Sequence, residues 1–310
     1  MQTLAVVMER PEQLALRRLD LVDPGAEDVV VDIAWSGIST GTEKLLWTGA
    51  MPPFPGLGYP LVPGYESVGR VIEAGPRSGR HIGEQVFVPG SKGFRDARGL
   101  FGGAASRVVV QGNRVKPVPE SLGREAVLLA LAATAHHAIV AEASALPDLI
   151  IGHGVLGRLI ARIAVALGGK PVVWETNSVR LTGAEGYALR HPDEDQDSRY
   201  RTICDASGDA GLMDRLIARL LPGGELVLAG FYHAPIQFAF APAFLRELRL
   251  RVAAEWREPD LAAVQRLVVD GALSLDGLIT HAEPFENAPS AYRTAFGDAQ
   301  CLKMILEWRA

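Results

Sequence analysis

The chain lacks most of what would fit it to nucleic acid, membrane or a disulfide scaffold. Its 31 lysines and arginines are outnumbered by 36 acidic residues, which leaves no basic footprint for a polyanion. No stretch approaches the ~18 uninterrupted apolar residues of a spanning helix. The start, Met1 to Pro11, has no basic segment leading into an apolar one. These absences argue against export and membrane insertion and for a cytoplasmic protein. Only two cysteines occur, Cys204 and Cys301, too few for a disulfide framework or a CxxC metal pair. Each reads as a reduced, buried small residue within a strand. At 310 residues the chain is long for one core and natural for two domains.

What is present is a glycine pattern in a strand, turn and helix frame. The apolar run Leu149-Ile150-Ile151 leads into Gly152-His153-Gly154-Val155-Leu156-Gly157, and Leu159, Ile160, Ile163 and Leu167 come after it at helical spacing. Gly152 permits a tight turn, Gly154 lets backbone approach a pyrophosphate, and Gly157 lets the helix pack on the sheet. The first helical turn, from Val155 and Leu156, then faces the phosphates with its partial positive charge. Glu175 ends the next strand, 23 residues after Gly152, where a carboxylate accepts hydrogen bonds from ribose hydroxyls and repels a 2′-phosphate. NAD is therefore expected over NADP, with Arg180 as a nearby cation acting the other way. His153 is expected to contribute its backbone rather than its imidazole.

The texture changes near residue 125. Before it, short β-rich segments such as Val29–Ala34, Val68–Ile72, Gln85–Val88 and Ser106–Val110 alternate with Gly and Pro turns, as in a small irregular β-barrel. After it, helices and strands alternate, as in a doubly wound parallel sheet: a helix over Glu125 to Glu142, the glycine unit, and strands at Thr202–Ser207 and Glu225–Gly230. The acidic stretch Pro192 to Asp197 reads as a solvated loop. The tail, from about Pro259, is expected to pack back on the first domain. This gives a catalytic domain of residues 1–125 and 256–310 and a dinucleotide-binding domain of residues 126–255.

Together, Val62-Pro63-Gly64-Tyr65-Glu66-Ser67-Val68-Gly69, the glycine unit, Asp205-Ala206-Ser207-Gly208 and Leu221-Pro222-Gly223-Gly224 resemble the medium-chain dehydrogenase/reductase superfamily. The resemblance implies an α/β chain with a GroES-like barrel and a Rossmann domain. It implies cofactor contacts from Ser207, Gly208 and Gly230, and from Thr134 at the nicotinamide end. The runs Ser36 to Trp47, Met51 to Pro60 and Ala130 to Ala138 are similar to the dehydrogenases of bacteriochlorophyll synthesis. Those enzymes oxidise the 3-(1-hydroxyethyl) group of a bacteriochlorophyllide or chlorophyllide to 3-acetyl, so the implied substrate is a chlorin or bacteriochlorin.

Zinc-dependent members of the superfamily place cysteine and histidine where this chain has Ser39, Thr40 and Tyr65, and another cysteine near Ala130. Glu66 alone cannot hold a catalytic zinc, which needs about three protein ligands, so a metal-free enzyme is expected. Alcohol oxidation still sends a hydride to the cofactor and a proton elsewhere. By position, Ser39 and Thr40 would bond to the alcohol, Tyr65 would relay the proton, and Glu66 would orient or act as base. Tyr65 would need a cationic neighbour such as the nicotinamide ring or Lys44 to work near neutrality; its bland alternative is a packing aromatic. Thr42 and Glu43 read as caps of a short helix. Of the adjacent His136 and His137 on one helix, one is expected to point away from whatever the other faces.

Trp47, Met51, Phe54, Tyr59 and Phe94 are candidates for an apolar slot, and Lys92, Arg95 and Arg98 for a propionate contact. An NADPH-dependent quinone or enone reductase and a non-catalytic pigment-binding protein remain open as other readings. A homodimer is expected through an edge strand within Glu225 to Phe238.

Overall fold

The strand Asp28–Ile38, eleven residues with Val29, Val30, Val31, Ile33 and Ile38 buried, organises the first half of the molecule. One of its edges pairs antiparallel with Ser67–Ala74; the other takes Arg107–Gln111 along its first part and Met304–Glu307 along its second. A four-stranded sheet, Gln13–Asp20, Gln2–Arg10, Leu61–Val62 and Arg98–Gly99, contributes Val6, Met8 and Leu61 to the same apolar core. These sheets form the irregular β-barrel unit. Strand register places two distant side chains: Met304 stands opposite Ile38 and Ser67 opposite Ser36, so Lys303 and Glu66 arrive on the two sides of the Gly37–Ser39 corner.

The computed structural model describes residues 1–140, 144–195 and 199–309. It separates into one unit of Met1–Ala130 with Asp276–Ala310 and another of Leu131–Leu275. The helix Glu258–Val269 thus goes with the second unit, and the chain re-enters the first at Asp276 rather than at residue 256. The helix expected over Glu125 to Glu142 is an α-helix over Leu129–Ile139, led in by 3-10 turns that break at Gly123, where φ is +48°. Glu142 lies outside the described residues.

The second unit carries six parallel strands in the order Ala188–Arg190, Val172–Trp174, Leu149–Ile151, Tyr200–Asp205, Leu220–Leu228, Arg249–Val252. In chain order this is 3-2-1-4-5-6, the doubly wound dinucleotide-binding arrangement, whose direction reverses between Leu149–Ile151 and Tyr200–Asp205. Leu220–Leu228 has a neighbour on both sides, so the stretch from Glu225 offers no free edge. The free edge on that side is Arg249–Val252, with Leu250 and Val252 exposed. The acidic stretch is less solvated than expected, because Asp195 is buried and accepts from Trp174 Nε1 at 2.9 Å and from the Tyr200 hydroxyl. Gln196 and Asp197 lie outside the described residues.

Candidate active site

The glycine turn sits where the sheet reverses. Gly152 takes φ +92°, and a Cβ on Gly157 would stand 1.9 Å from the Gly152 carbonyl oxygen, so helix and turn touch backbone to backbone. The helix Val155–Ala166 starts at Gly154 with no side-chain cap and no acidic residue in its first turn. Its leading amides therefore stay available to an anion. Beside it, Gly208 has φ +71°, and a Cβ on Gly230 would fall 2.6 Å from the Gly208 amide. Gly152, Ser207, Gly208 and Gly230 thus converge at the carboxyl ends of three parallel strands. Asp205 holds this corner, accepting from the Ser207 amide and hydroxyl at 2.8 and 2.6 Å and from the Tyr232 hydroxyl at 2.5 Å.

Glu175 reaches the same loop. Its carboxylate accepts from the His153 amide and from the Thr176 and Asn177 amides, each at 2.8 Å. One side chain thereby fastens the glycine turn to the end of the second strand. The His153 imidazole is turned into the protein. Its Nδ1 donates to the Arg180 carbonyl, and Nε2 accepts from the Tyr187 hydroxyl, both at 2.7 Å. Burial pushes its pKa down to about 4, so it is neutral at pH 7. The Arg180 guanidinium lies near the turn, 3.8 Å from where a Cβ of Gly154 would be.

In the barrel unit, Ser39 Oγ and the Tyr65 hydroxyl lie 2.5 Å apart, and Thr42 adds a second hydroxyl bond to Tyr65. Thr40 is half-buried in the turn beside them. Burial, and next the Glu66 charge, push Tyr65 well above the ordinary tyrosine value, against the pull of the Ser39 and Thr42 bonds. Lys44 is not the cationic neighbour: it is exposed and donates to the Phe296 carbonyl at 3.0 Å. Tyr65 therefore stays a neutral phenol and acts as hydrogen-bond donor and acceptor.

Of the charged groups that matter here, the sequence singled out Glu66 but not its partner Lys303, and gave Glu43 a different role. Lys303 Nζ donates to Glu66 Oε2, with both side chains almost fully buried. Glu43 caps nothing. The helix Thr42–Thr48 starts at Gly41 without a side-chain cap, and the buried Glu43 carboxyl accepts from the Ser39 amide at 3.1 Å and the Tyr292 hydroxyl at 2.8 Å. Burial raises Glu43 to about 8, with Glu66 adding to the shift. Burial also raises Glu66, while the Lys303 ammonium pulls it back down.

Other expectations resolve differently. His136 and His137 do not diverge; both Nδ1 atoms donate to Asp260, one to each carboxylate oxygen, at 2.8 and 2.9 Å. A carboxylate with two oxygens can serve two neighbouring rings when it crosses the helix face between them. Burial pushes Asp260 up, but the Arg257 amide and the two imidazoles outweigh it and leave it below the usual range. Thr134 is half-buried on the same helix. The proposed aromatic slot is mostly core: Met51 and Phe94 are buried, and Trp47 and Tyr59 pack against the barrel cluster, leaving Phe54 exposed. Arg95 is taken by Asp23 and the Leu21 carbonyl, and Arg98 by the Leu57 carbonyl, while Lys92 is exposed.

Comparison with known proteins gives this geometry a lineage. Residues 25–120 match the alcohol dehydrogenase GroES-like domain family. Over its whole length the chain is 57% identical to 2-desacetyl-2-hydroxyethyl bacteriochlorophyllide A dehydrogenase of Rhodobacter capsulatus, covering 99% of that protein. The protein of the same name from Cereibacter sphaeroides is 55% identical with equal coverage. The chain belongs to the bacteriochlorophyllide a dehydrogenase family, within the medium-chain dehydrogenase/reductase superfamily. Solved structures agree on the fold. An Escherichia coli alcohol dehydrogenase complexed with NADH has a TM-score of 0.83 at 21% identity, with 99% of each chain covered. A zinc-binding dehydrogenase of Sinorhizobium meliloti bound to NADP has 0.81 at 19%, again with 99% of each chain covered. The fold alone thus admits either dinucleotide.

The residues of the barrel site do not fit a metal ion. Among the described residues no three His, Cys, Asp or Glu side chains converge as ligands. Glu66 is already paired with Lys303.

Proposed function

We propose that this chain oxidises the 3-(1-hydroxyethyl) group of a bacteriochlorophyllide or chlorophyllide to 3-acetyl, with NAD and without zinc. The family supports the pigment. The observation that carries the chemistry is the Ser39–Tyr65 hydroxyl pair, set between a buried ion pair and a protonated carboxyl. The dinucleotide, when bound, accepts the hydride. Gly152, Gly154, Val155, Leu156 and Gly157 would hold its pyrophosphate, Glu175 its ribose, and Thr134, Ser207, Gly208 and Gly230 the remainder. Ser39 and Tyr65 bond the alcohol oxygen, and its proton passes through Tyr65 to Thr42, the partly exposed end of the chain of hydroxyls. The reading includes a cytoplasmic enzyme that forms a homodimer through the free edge Arg249–Val252.

Anaerobic incubation with 3-hydroxyethyl chlorophyllide and either NAD or NADP tests it, by monitoring the pigment band and reduced nicotinamide. Acetyl product formed with NAD, at full rate after metal removal, is the expected result. Turnover of quinones with NADPH alone would replace this reading with a reductase, and tight pigment binding without turnover would replace it with a carrier.

Glu175 supports NAD because its position, fixed by three amides, is one where a 2′-phosphate would meet negative charge. Replacing it by alanine is expected to weaken NADH binding roughly 10- to 100-fold, since three backbone donors lose a charged acceptor. The preference over NADPH should fall as well. Calorimetric titration of both cofactors into E175A checks this, and unchanged affinities would remove Glu175 from the site.

A further inference from the structure

We propose that Glu43 and Lys303 are positioning residues for the alcohol oxidation. Glu43 fixes the Ser39 backbone and Lys303 fixes the Glu66 side chain, so the Ser39–Tyr65 hydroxyls meet the substrate in one arrangement. The inference rests on the oxidation reading above.

The Glu43 carboxyl spans the Ser39 amide and the Tyr292 hydroxyl, and Tyr292 is fully buried on the helix Ala288–Gly297. Glu66 is tied at both ends, its carbonyl accepting from the Gly37 amide at 2.7 Å and its carboxylate from Lys303. Gly37 has no side chain because the ion pair occupies that volume: a Cβ there would lie 2.5 Å from Glu66 Oε2 and 2.8 Å from Lys303 Cε. Glu66 Oε1 is buried without a hydrogen-bond partner among the described residues. A β-barrel gains little from burying two carboxyls and an ammonium, since well-packed apolar residues often serve stability as well or better. Here the Glu43 carboxyl holds the Ser39 backbone, and the Glu66 charge, paired with Lys303, acts on Tyr65.

The groups facing Glu43 are Glu66, Lys303 and Tyr292, and a charge on Glu43 would also act on Tyr65. Its helix neighbour Lys44 is exposed and turned to Phe296. With Glu43 raised to about 8, the cluster at neutral pH sets a carboxylic acid beside the Glu66–Lys303 pair. Above about 8, Glu43 adds a negative charge in contact with Ser39, which opposes an alkoxide forming on the substrate. Proton release alone would make alcohol oxidation easier as pH rises, so a falling alkaline limb marks Glu43.

The test uses the full chain with 3-hydroxyethyl chlorophyllide and NAD. The wild type should lose kcat above about pH 8, by roughly tenfold per unit at the limit, and E43Q should lose that limb. K303M alone strands a buried carboxylate and is expected to unfold readily, so the informative variant is E66Q/K303M, which removes both charges. It should keep the wild-type melting midpoint and NADH affinity while kcat falls at least about tenfold at unchanged pigment KM. An alkaline limb that persists in E43Q, or wild-type kcat in the double variant, overturns the proposal. If the wild type does not turn the pigment over, the oxidation reading itself fails. The positioning cluster is then read from the infrared spectrum, where a protonated-carboxyl band should titrate near 8 and vanish in E43Q. Absence of that band from the wild type overturns it.

Discussion

Removing one oxygen atom, in Y65F, is expected to lower kcat by roughly 10²- to 10⁴-fold, the range over which positioned proton transfer acts. The ring should stay where it is, because its edge-on contact with Phe101, at 5.1 Å between centroids, does not involve the hydroxyl. Ser39 would lose its 2.5 Å partner and Thr42 its link to the pair, interrupting the path from alcohol to solvent. NADH binding should be unaffected, since the residues proposed to hold it belong to the other unit. The phenol is held well above its ordinary pKa, so Tyr65 works as a relay and its own ionisation should leave no limb in the rate profile. Single-turnover measurement of Y65F with saturating NAD decides the matter. A rate within tenfold of wild type would move the proton to another group.

The second large effect concerns stability rather than rate. Glu43 keeps its proton to about 8 in the folded chain and gives it up near 4.5 when unfolded. Between those values the folded state binds a proton that the unfolded state has released, so rising pH favours unfolding. Glu43's contribution is therefore complete below about 4.5 and lost as pH climbs to about 8. Its size is of order 5 kcal/mol over that window. E43Q has nothing to ionise, so its stability should change less with pH, and the two proteins should diverge most at the alkaline end. Hydrogen exchange of the Asp28–Ile38 amides, measured against pH in both, reports the barrel unit directly. Parallel curves would show that Glu43 shares its proton differently from this account.

The parts legible in the sequence are those whose cause is local. Gly152, Gly154 and Gly157 announce their turn because three backbone approaches demand them within six residues, and strand alternation announces the barrel. Lys303 could not be found this way. It lies 237 residues from Glu66, just ahead of the strand Met304–Glu307, and only the register of Met304 with Ile38 brings it there. Glu43 misled for the opposite reason: an acidic residue in a first helical turn is ordinary capping chemistry, and only Tyr292, on a distant helix, turns it inward. For His136 and His137 the angle between adjacent helical side chains takes no account of a partner broad enough to meet both. The aromatics of the Pro- and Gly-rich loops had two uses open to them, and burial chose the core for most.

Asp260 does two jobs at once. It closes the first turn of the helix Glu258–Val269 by accepting from the Arg257 amide, and it ties down His136 and His137 on a helix more than 120 residues earlier. Farther along, Arg162, on the helix after the glycine turn, donates to the Ser274 carbonyl at 3.0 Å. The six-stranded half is therefore not a cassette that can be cut out after its last strand at Val252. A fragment ended there would leave two imidazoles without their carboxylate and take the Ser274 carbonyl from the Arg162 guanidinium, which would keep its bond to Glu185, whereas one carried through Leu275 keeps them all. Grafts or truncations of this nucleotide-binding unit have to take the segment after the sheet along with it.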